Sequence, residues 1–187
     1  MLDGLQIAPL IEADRMVLRP PRRRDAGLIA LYLSDARAAK SLALIPHPYP
    51  PGAAEQMIER ALEGKRSGPL YVMDATPSDG PEMIGLVFLN KEPEDGVYQV
   101  SYVVGPAFRN TGYATEAVLA VRDHLFGAGA KALTAKVYQD NDASAHVLTR
   151  AGFDYLGEGE AYSAARGAVA PTWRYRLERD RWSARSS

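Results

Sequence analysis

The residues whose types and spacing could most directly do chemistry lie in one segment, Tyr102-Val-Val-Gly-Pro-Ala-Phe-Arg-Asn-Thr-Gly-Tyr-Ala-Thr-Glu-Ala117. A strand-like run enters a tight turn holding Arg109 and Gly112, and a helical pattern starts at once. The first backbone N–H groups of such a helix have no intrahelical acceptor, and the helix dipole adds partial positive charge there. A phosphate or pyrophosphate satisfies both. Gly112 and Ala114 are small enough for phosphates to approach the main chain, and Arg109 can add charge-assisted hydrogen bonds. The short pattern alone also fits an ordinary strand-to-helix turn, so the rest of the chain must decide.

Other reactive residue types narrow the chemistry. Cysteine is absent, which removes disulfides, thiolate metal sites and a cysteine acyl-enzyme together. His47, His124 and His146 lie far apart and none pairs with a carboxylate at metal-ligand spacing, so no metal is expected. Neither G-x-x-x-x-G-K-[ST] nor G-x-G-x-x-G occurs, which disfavours a nucleotide-binding domain. A net charge of −1 gives no footprint for nucleic acid. The basic clusters at Arg22-Arg23-Arg24 and from Arg174 to Arg185 read as solvated faces. Met1 to Ala13 lacks a basic stretch ahead of an apolar core, and no apolar run approaches the roughly 18 residues of a membrane span. No membrane association is expected, and the location expected is cytoplasmic.

A scaffold must position that turn. The 187 residues, 47% of them hydrophobic, suit a single domain over 1–187 with a proper core. Arg15 to Arg19 reads as a strand stopped by Pro20-Pro21, and Asp25 onward and Ala53 to Leu62 read as helices, the second with Met57, Ala61 and Leu62 on one side. Between them Ile45-Pro-His-Pro-Tyr-Pro-Pro51 must be irregular. Its stiffness and the aromatic Tyr49 suggest the wall of a substrate pocket. Leu70–Met73, Met83–Leu89 and Val97–Val104 are strands joined by short turn-rich links, which implies an antiparallel meander. Ala114, Ala117, Val118, Val121 and Leu125 then mark an amphipathic helix. A strand at Ala132–Tyr138, a helix from Ser144 to Ala151, and strands near Asp154–Gly157 and Thr172–Leu177 follow. The small-residue stretch Ser163–Ala170 reads as a mobile loop. The order is β-α-α-β-β-β-α-β-α-β-β.

With these elements in view, the sequence resembles the GNAT superfamily of N-acetyltransferases. Arg109-Asn-Thr-Gly112-Tyr-Ala114 matches its acyl-CoA motif R/Q-x-x-G-x-G/A between strand and helix. Further features resemble the branch that acetylates ribosomal-protein N-termini, the RimJ/RimL type. They are Ala13-Asp-Arg-Met-Val-Leu-Arg19, Pro46-His-Pro-Tyr49, Gly112-Tyr-Ala-Thr-Glu-Ala117, Asn141-Asp-Ala-Ser144 with Val147-Leu148 and Gly152-Phe153, and Tyr175-Arg-Leu177. The resemblance covers nearly the whole chain. It implies an α/β (α+β) fold with a mixed, mostly antiparallel sheet of about seven strands flanked by four helices. The fourth strand (97–104) should splay from the fifth (132–138).

The resemblance also implies roles. Pantetheine of acetyl-CoA should fill the splay like an added strand, on the backbone around Tyr102 and Val104. The pyrophosphate should sit on N–H groups of Arg109, Asn110, Gly112, Tyr113 and Ala114, with Thr115 nearby. Asn110 departs from the glycine that many members carry there. Asn141 should contact the pantetheine arm. Many members use a tyrosine in the helix after the fifth strand as the acid for the leaving thiolate. Here Ser144 takes the branch's equivalent place, and helix capping is its structural alternative. A carboxylate base beyond the sixth strand would be Glu160 or Glu158. Glu116 reads at least as well as a brace for the turn, and His146 reads first as a surface or packing residue.

The implied reaction is direct attack of an amine on the thioester. A dedicated base is dispensable for an α-amine, of which roughly a tenth is neutral at pH 7, whereas a lysine amine is neutral only to about 0.04%. The expected function is therefore an acetyl-CoA-dependent N-acetyltransferase acting on a primary amine, a protein N-terminus or a small molecule. The alternative is a non-catalytic acyl-CoA-binding module. A homodimer stays open.

Overall fold

The computed structural model describes residues 7–183. The single-domain span 1–187 and the reading of Met1 to Ala13 also cover residues 1–6 and 184–187, which lie outside the described residues. The strands are β1 (Ile11–Glu12), β2 (Val17–Arg19), β3 (Leu70–Asp74), β4 (Gly85–Lys91), β5 (Val97–Val104), β6 (Ala132–Tyr138), β7 (Asp154–Ser163) and β8 (Ala168–Glu178). The helices are α1 (Ala26–Ser34), α2 (Ala36–Ser41), α3 (Ala53–Leu62), α4 (Tyr113–Gly127), α5 (Asp142–Arg150) and α6 (Arg179–Ser183).

One sheet holds all eight strands in the order β1-β2-β3-β4-β5-β6-β8-β7. The short links after β3 and β4 force antiparallel neighbours, as the turn residues predict. The only parallel pair among the described residues is β5 with β6, joined by the crossover helix α4. Leu133, Ala135 and Val137 of β6 pack with Val118, Val121 and Leu125 of α4 and Leu148 of α5 on one face. Val72, Leu86 and Val103 pack with Ile29, Leu33 and Ile58 of α1 and α3 on the other. The period-two alternation of each strand thus feeds two cores.

A buried charge network pins the first strand. All the guanidinium nitrogens of Arg19 are used: Nε donates to Asp74 at 2.6 Å, Nη1 to Asp25 at 2.8 Å, and Nη2 to Asp25 at 3.1 Å and the Glu82 carbonyl at 3.0 Å. Burial pushes the Asp25 carboxyl up, but Arg19 and the Arg22 backbone N–H outweigh it and hold it below its ordinary value. Asp74 is also held low: burial raises it, and Thr76 and Arg19 more than reverse that.

The structure departs from the sequence reading at several places. It adds β1, α2 and α6, giving eight strands and six α-helices among the described residues. The two-residue β1, six-residue α2 and five-residue α6 are too short to show a period, and they exist by docking on longer elements. The stretch Ser163–Ala170 is no loop. β7 pairs with β8 up to Ser163 opposite Ala168, leaving a four-residue turn from Ala164 to Gly167. Its small residues permit close pairing, and the Ala164 N–H donates to the Ala43 carbonyl at 2.9 Å. The β7 edge strand is correspondingly longer than Asp154–Gly157. On α3 the buried stripe is Ala54 and Ile58, with Met57 and Ala61 half-buried, and Leu62 is left 51% exposed.

Candidate active site

β5 and β6 pair only at Val97–Ala132, Tyr98–Leu133 and Gln99–Thr134. Beyond these, β5 runs on to Val104 and β6 to Tyr138 with no pairing between them. The resulting gap is the floor of a cleft of about 900 Å³. Val100 to Val104 and Ala135 to Val137 line its sides, Arg109 to Thr115 one end, and Asn141 to Leu148 the α5 wall.

The turn into α4 is built to leave donors free. Gly112 sits at φ +84° as the N-cap of α4, and Asn110 at φ +60°. Both are left-handed conformations, which explains why glycine suits position 110 and why asparagine, the residue most tolerant of that region after glycine, can replace it. Among the described residues, no protein acceptor takes the backbone N–H groups of Asn110 to Thr115. Successive free amides at a helix N-terminus form an anion-binding concavity.

Arg15 braces this turn from β2's approach. Its Nε donates to Glu116 at 2.7 Å, its backbone N–H to the same carboxylate at 2.6 Å, and its Nη1 to the Thr111 carbonyl at 3.1 Å. Its guanidinium also lies 4.2 Å from the centroid of the Tyr113 ring. Glu116 therefore braces the turn. Arg109 points its guanidinium at Asp35 at 2.5 Å, tying the turn to the N-cap of α2. Burial raises the Asp35 carboxyl, and Arg109 with the Ala38 N–H brings it below its ordinary value.

On the opposite wall Asn141 is the N-cap of α5, its side chain accepting from the Ser144 N–H at 3.2 Å. The capping role thus belongs to Asn141. The Ser144 hydroxyl lies 2.8 Å from the Tyr102 hydroxyl, which is also 3.1 Å from the Ser144 carbonyl. Burial pushes the Tyr102 phenol far above its ordinary value, with the Ser144 contact opposing. Tyr102 therefore stays protonated at any working pH and can only donate or accept hydrogen bonds. The sequence named Tyr102 for its backbone and missed its hydroxyl. The signal was present, because Tyr98, Val100, Tyr102 and Val104 alternate onto the face that α4 and α5 cover.

The structure brings Tyr102, Val104, Arg109, Asn110, Gly112, Tyr113, Ala114, Thr115, Asn141 and Ser144 to one cleft. Glu160 and Tyr49 are not among its lining residues. Glu160 is exposed on β7 opposite Pro171. Tyr49 packs against the α1–α3 core with a buried hydroxyl that has no partner, and burial together with Glu55 pushes its phenol up to about 12. Among the described residues no three His, Asp or Glu side chains converge as metal ligands, and no helix is long and apolar enough to cross a membrane.

Comparison with known proteins gives the family and the fold. A family profile described as acetyltransferase (GNAT) domain covers residues 15–154. No curated protein matches the chain. Among solved structures, a GNAT-family acetyltransferase from Bacillus anthracis superposes with a TM-score of 0.78 at 18% identity, over 91% of this chain and 99% of that one. The ribosomal L7/L12 alpha-N-protein acetyltransferase RimL, in complex with coenzyme A, gives 0.77 at 18%, over 90% and 97%. The ribosomal-protein-S5-alanine acetyltransferase from Vibrio fischeri gives 0.72 at 22%, over 92% and 98%.

Proposed function

The chain belongs to the acetyltransferase (GNAT) family, and from that premise we propose that it transfers the acetyl group of acetyl-CoA to a primary amine by direct attack. The observation that carries the proposal is the unpaired divergence of β5 and β6 ending beside the free N–H groups of Asn110 to Thr115. Pantetheine pairs with the open edge around Tyr102 and Val104. The pyrophosphate rests on the N–H groups of Arg109, Asn110, Gly112, Tyr113 and Ala114, with the Thr115 hydroxyl beside them. The Arg109 side chain contributes by fixing the turn to Asp35 rather than by reaching the phosphate. Asn141 caps α5 and so aims its first turn at the pantetheine arm.

The amine nitrogen bonds to the thioester carbon, the C–S bond breaks, and the thiolate of CoA leaves. Either hydroxyl of the Tyr102–Ser144 pair can donate, and with Tyr102 donating to the Ser144 oxygen the Ser144 hydrogen is free for the sulfur. That bond strengthens as charge develops on sulfur, so it acts on the transition state more than on bound acetyl-CoA. The proton shed by the amine goes to water. No carboxylate is assigned as base: Glu160 stands away from the cleft, Asp140 is held by Arg166, and Asp142 sits in the first turn of α5. An α-amine fits that lack of a base, and two of the structural neighbours are named for ribosomal-protein acceptors, one of them an alpha-N-protein acetyltransferase. A cysteine-free chain also suits a reducing compartment, and we place the enzyme in the cytoplasm.

The test is acetyl-CoA turnover across ribosomal N-terminal peptides, amino acids, polyamines and aminoglycosides, read as thiol release and acetylated product. Release of CoA with acetylation of an amine supports the reading. Binding of acetyl-CoA with no turnover on any class would leave an acyl-CoA-binding module instead.

A further inference from the structure

The two faces of the cleft differ in charge. Leu133, Ala135 and Val137 point into the α4–α5 core, so the alternate residues Thr134 and Lys136 stand on the α1–α3 side of β6. α2 lies on that same side, its Ala38 and Ala39 packed in the α1–α3 core, and it brings Arg37, Lys40 and Ser41 to the cleft. Arg37, Lys40 and Lys136 are exposed, and among the described residues none of their side chains has a carboxylate partner.

The carboxylates do not offset them. Asp140, at the end of β6, is gripped at 2.8 and 2.9 Å by Arg166 from the β7–β8 turn, whose guanidinium also reaches the Lys40 carbonyl and lies 5.1 Å from the Tyr138 ring centroid. Asp142 sits in the first turn of α5, where the helix dipole already favours an anion. The phosphate-binding turn opens α4, which packs on the other face of the sheet, and it meets the α2 side through Arg109 at Asp35. The α2 side of the cleft therefore presents Arg37, Lys40 and Lys136 with no carboxylate of the described residues in an ion pair with them.

We infer that the acceptor is an anionic amine, with its reactive primary amine a few ångströms from a carboxylate or phosphate. This rests on the N-acetyltransferase reading above. The acid group pairs with Arg37, Lys40 and Lys136 and leaves the amine directed at the splay between β5 and β6. The same cations disfavour an ammonium and favour the neutral amine that attacks. Polyamines are selected against by like-charge repulsion.

Matched acceptors test this: the peptides Ser-Glu-Glu-Ala and Ser-Lys-Lys-Ala, aspartate and lysine, 2-aminoethyl phosphate and ethanolamine, with spermidine as a polycation. The anionic member of the pair that is turned over should lead by roughly tenfold in kcat/KM, the product of a few exposed ion pairs. High salt should erode the lead. Which pair is turned over tells a protein N-terminus from a carboxylate or phosphate metabolite. In the doubly reversed Lys40→Glu/Lys136→Glu protein the preference should invert while the acetyl-CoA KM holds. Equal or cationic preference in the parent protein overturns the inference and leaves the acetyltransferase reading standing. So does a variant whose acetyl-CoA KM rises instead, since its cations would then serve the cofactor's phosphates. Turnover of no amine at all overturns both.

Discussion

Removing the Ser144 hydroxyl separates a role in the reaction from a role in the fold. In Ser144→Ala the N-cap of α5 survives, because the capping acceptor is the Asn141 side chain and the donor is the backbone N–H of residue 144. Tyr102 loses its 2.8 Å partner but keeps the Ser144 carbonyl at 3.1 Å. One neutral hydrogen bond contributes about 0.5–1.5 kcal/mol net, and alanine recovers a few tenths through helix propensity. The stability loss should therefore stay under about 1 kcal/mol, or about 4 °C in Tm for a chain of this size. An electrostatic donor to developing charge can be worth 10²–10³-fold, but sulfur is a weak acceptor, so kcat should fall on the order of tenfold with the acetyl-CoA KM little changed. Thiol release is a clean assay here because the protein has no cysteine to react. Asn141→Ala is the control, expected to lose about 1 kcal/mol of stability through the cap. A Ser144→Ala protein that is less stable yet turns over at an undiminished kcat refutes the reasoning.

Three further outcomes follow from the same geometry. Gly112→Val forces a β-branched residue to φ +84° with its Cβ 3.4 Å from Arg15 Nη2, so it should fold with a loss of about 1–2 kcal/mol and show no acetyl-CoA-induced rise in Tm. The parent should gain about 2.7 kcal/mol at a ligand concentration 100 times Kd, and a normal rise in the variant would put the phosphates elsewhere. Arg19→Met strands Asp25 and Asp74 as unpaired buried carboxylates and should cost about 3–5 kcal/mol by denaturant unfolding. Both carboxyls are held below their ordinary values when folded, so this network's stability is full above about pH 4 and is lost as pH falls through the folded values; Asp74→Asn should flatten that acid limb in Tm against pH. Tyr49→Phe removes a buried hydroxyl with no partner and should be at least as stable with an unchanged amine KM; a rise of tenfold in that KM would put the hydroxyl on the acceptor.

How much could be read in advance depended on whether a residue's role is local. The stripe Ala114, Ala117, Val118, Val121 and Leu125 sets helix α4; the last four are buried where the period puts them, and Ala114 is half-buried at the cleft. The turn from Arg109 to Ala114 was legible because a left-handed glycine and a helix start are local events. Tertiary pairings were not. Arg15 and Arg19 are four residues apart in one short run, yet one braces Glu116 across 101 positions and the other satisfies Asp74 across 55. Nothing in spacing announces that. The Ala/Gly-rich turn after Ser163 looks like slack chain until β8 pairs with it and α2 receives it. The Tyr102–Ser144 contact likewise needs α5 brought within reach of β5, although strand alternation places Tyr102 on the right face.

The central claim is that the cofactor's phosphates lie on the turn opening α4, with pantetheine in the gap between β5 and β6. Amide chemical shifts of the 20.4 kDa protein during titration with CoA test it most directly. The amides of Asn110 to Thr115 should move most, joined by those of Ser101 to Val104 and Asn141 to Ser144, and in Gly112→Val the first group should stay still. Saturable shifts centred on any other part of the sheet, with Asn110 to Thr115 unmoved, would contradict it.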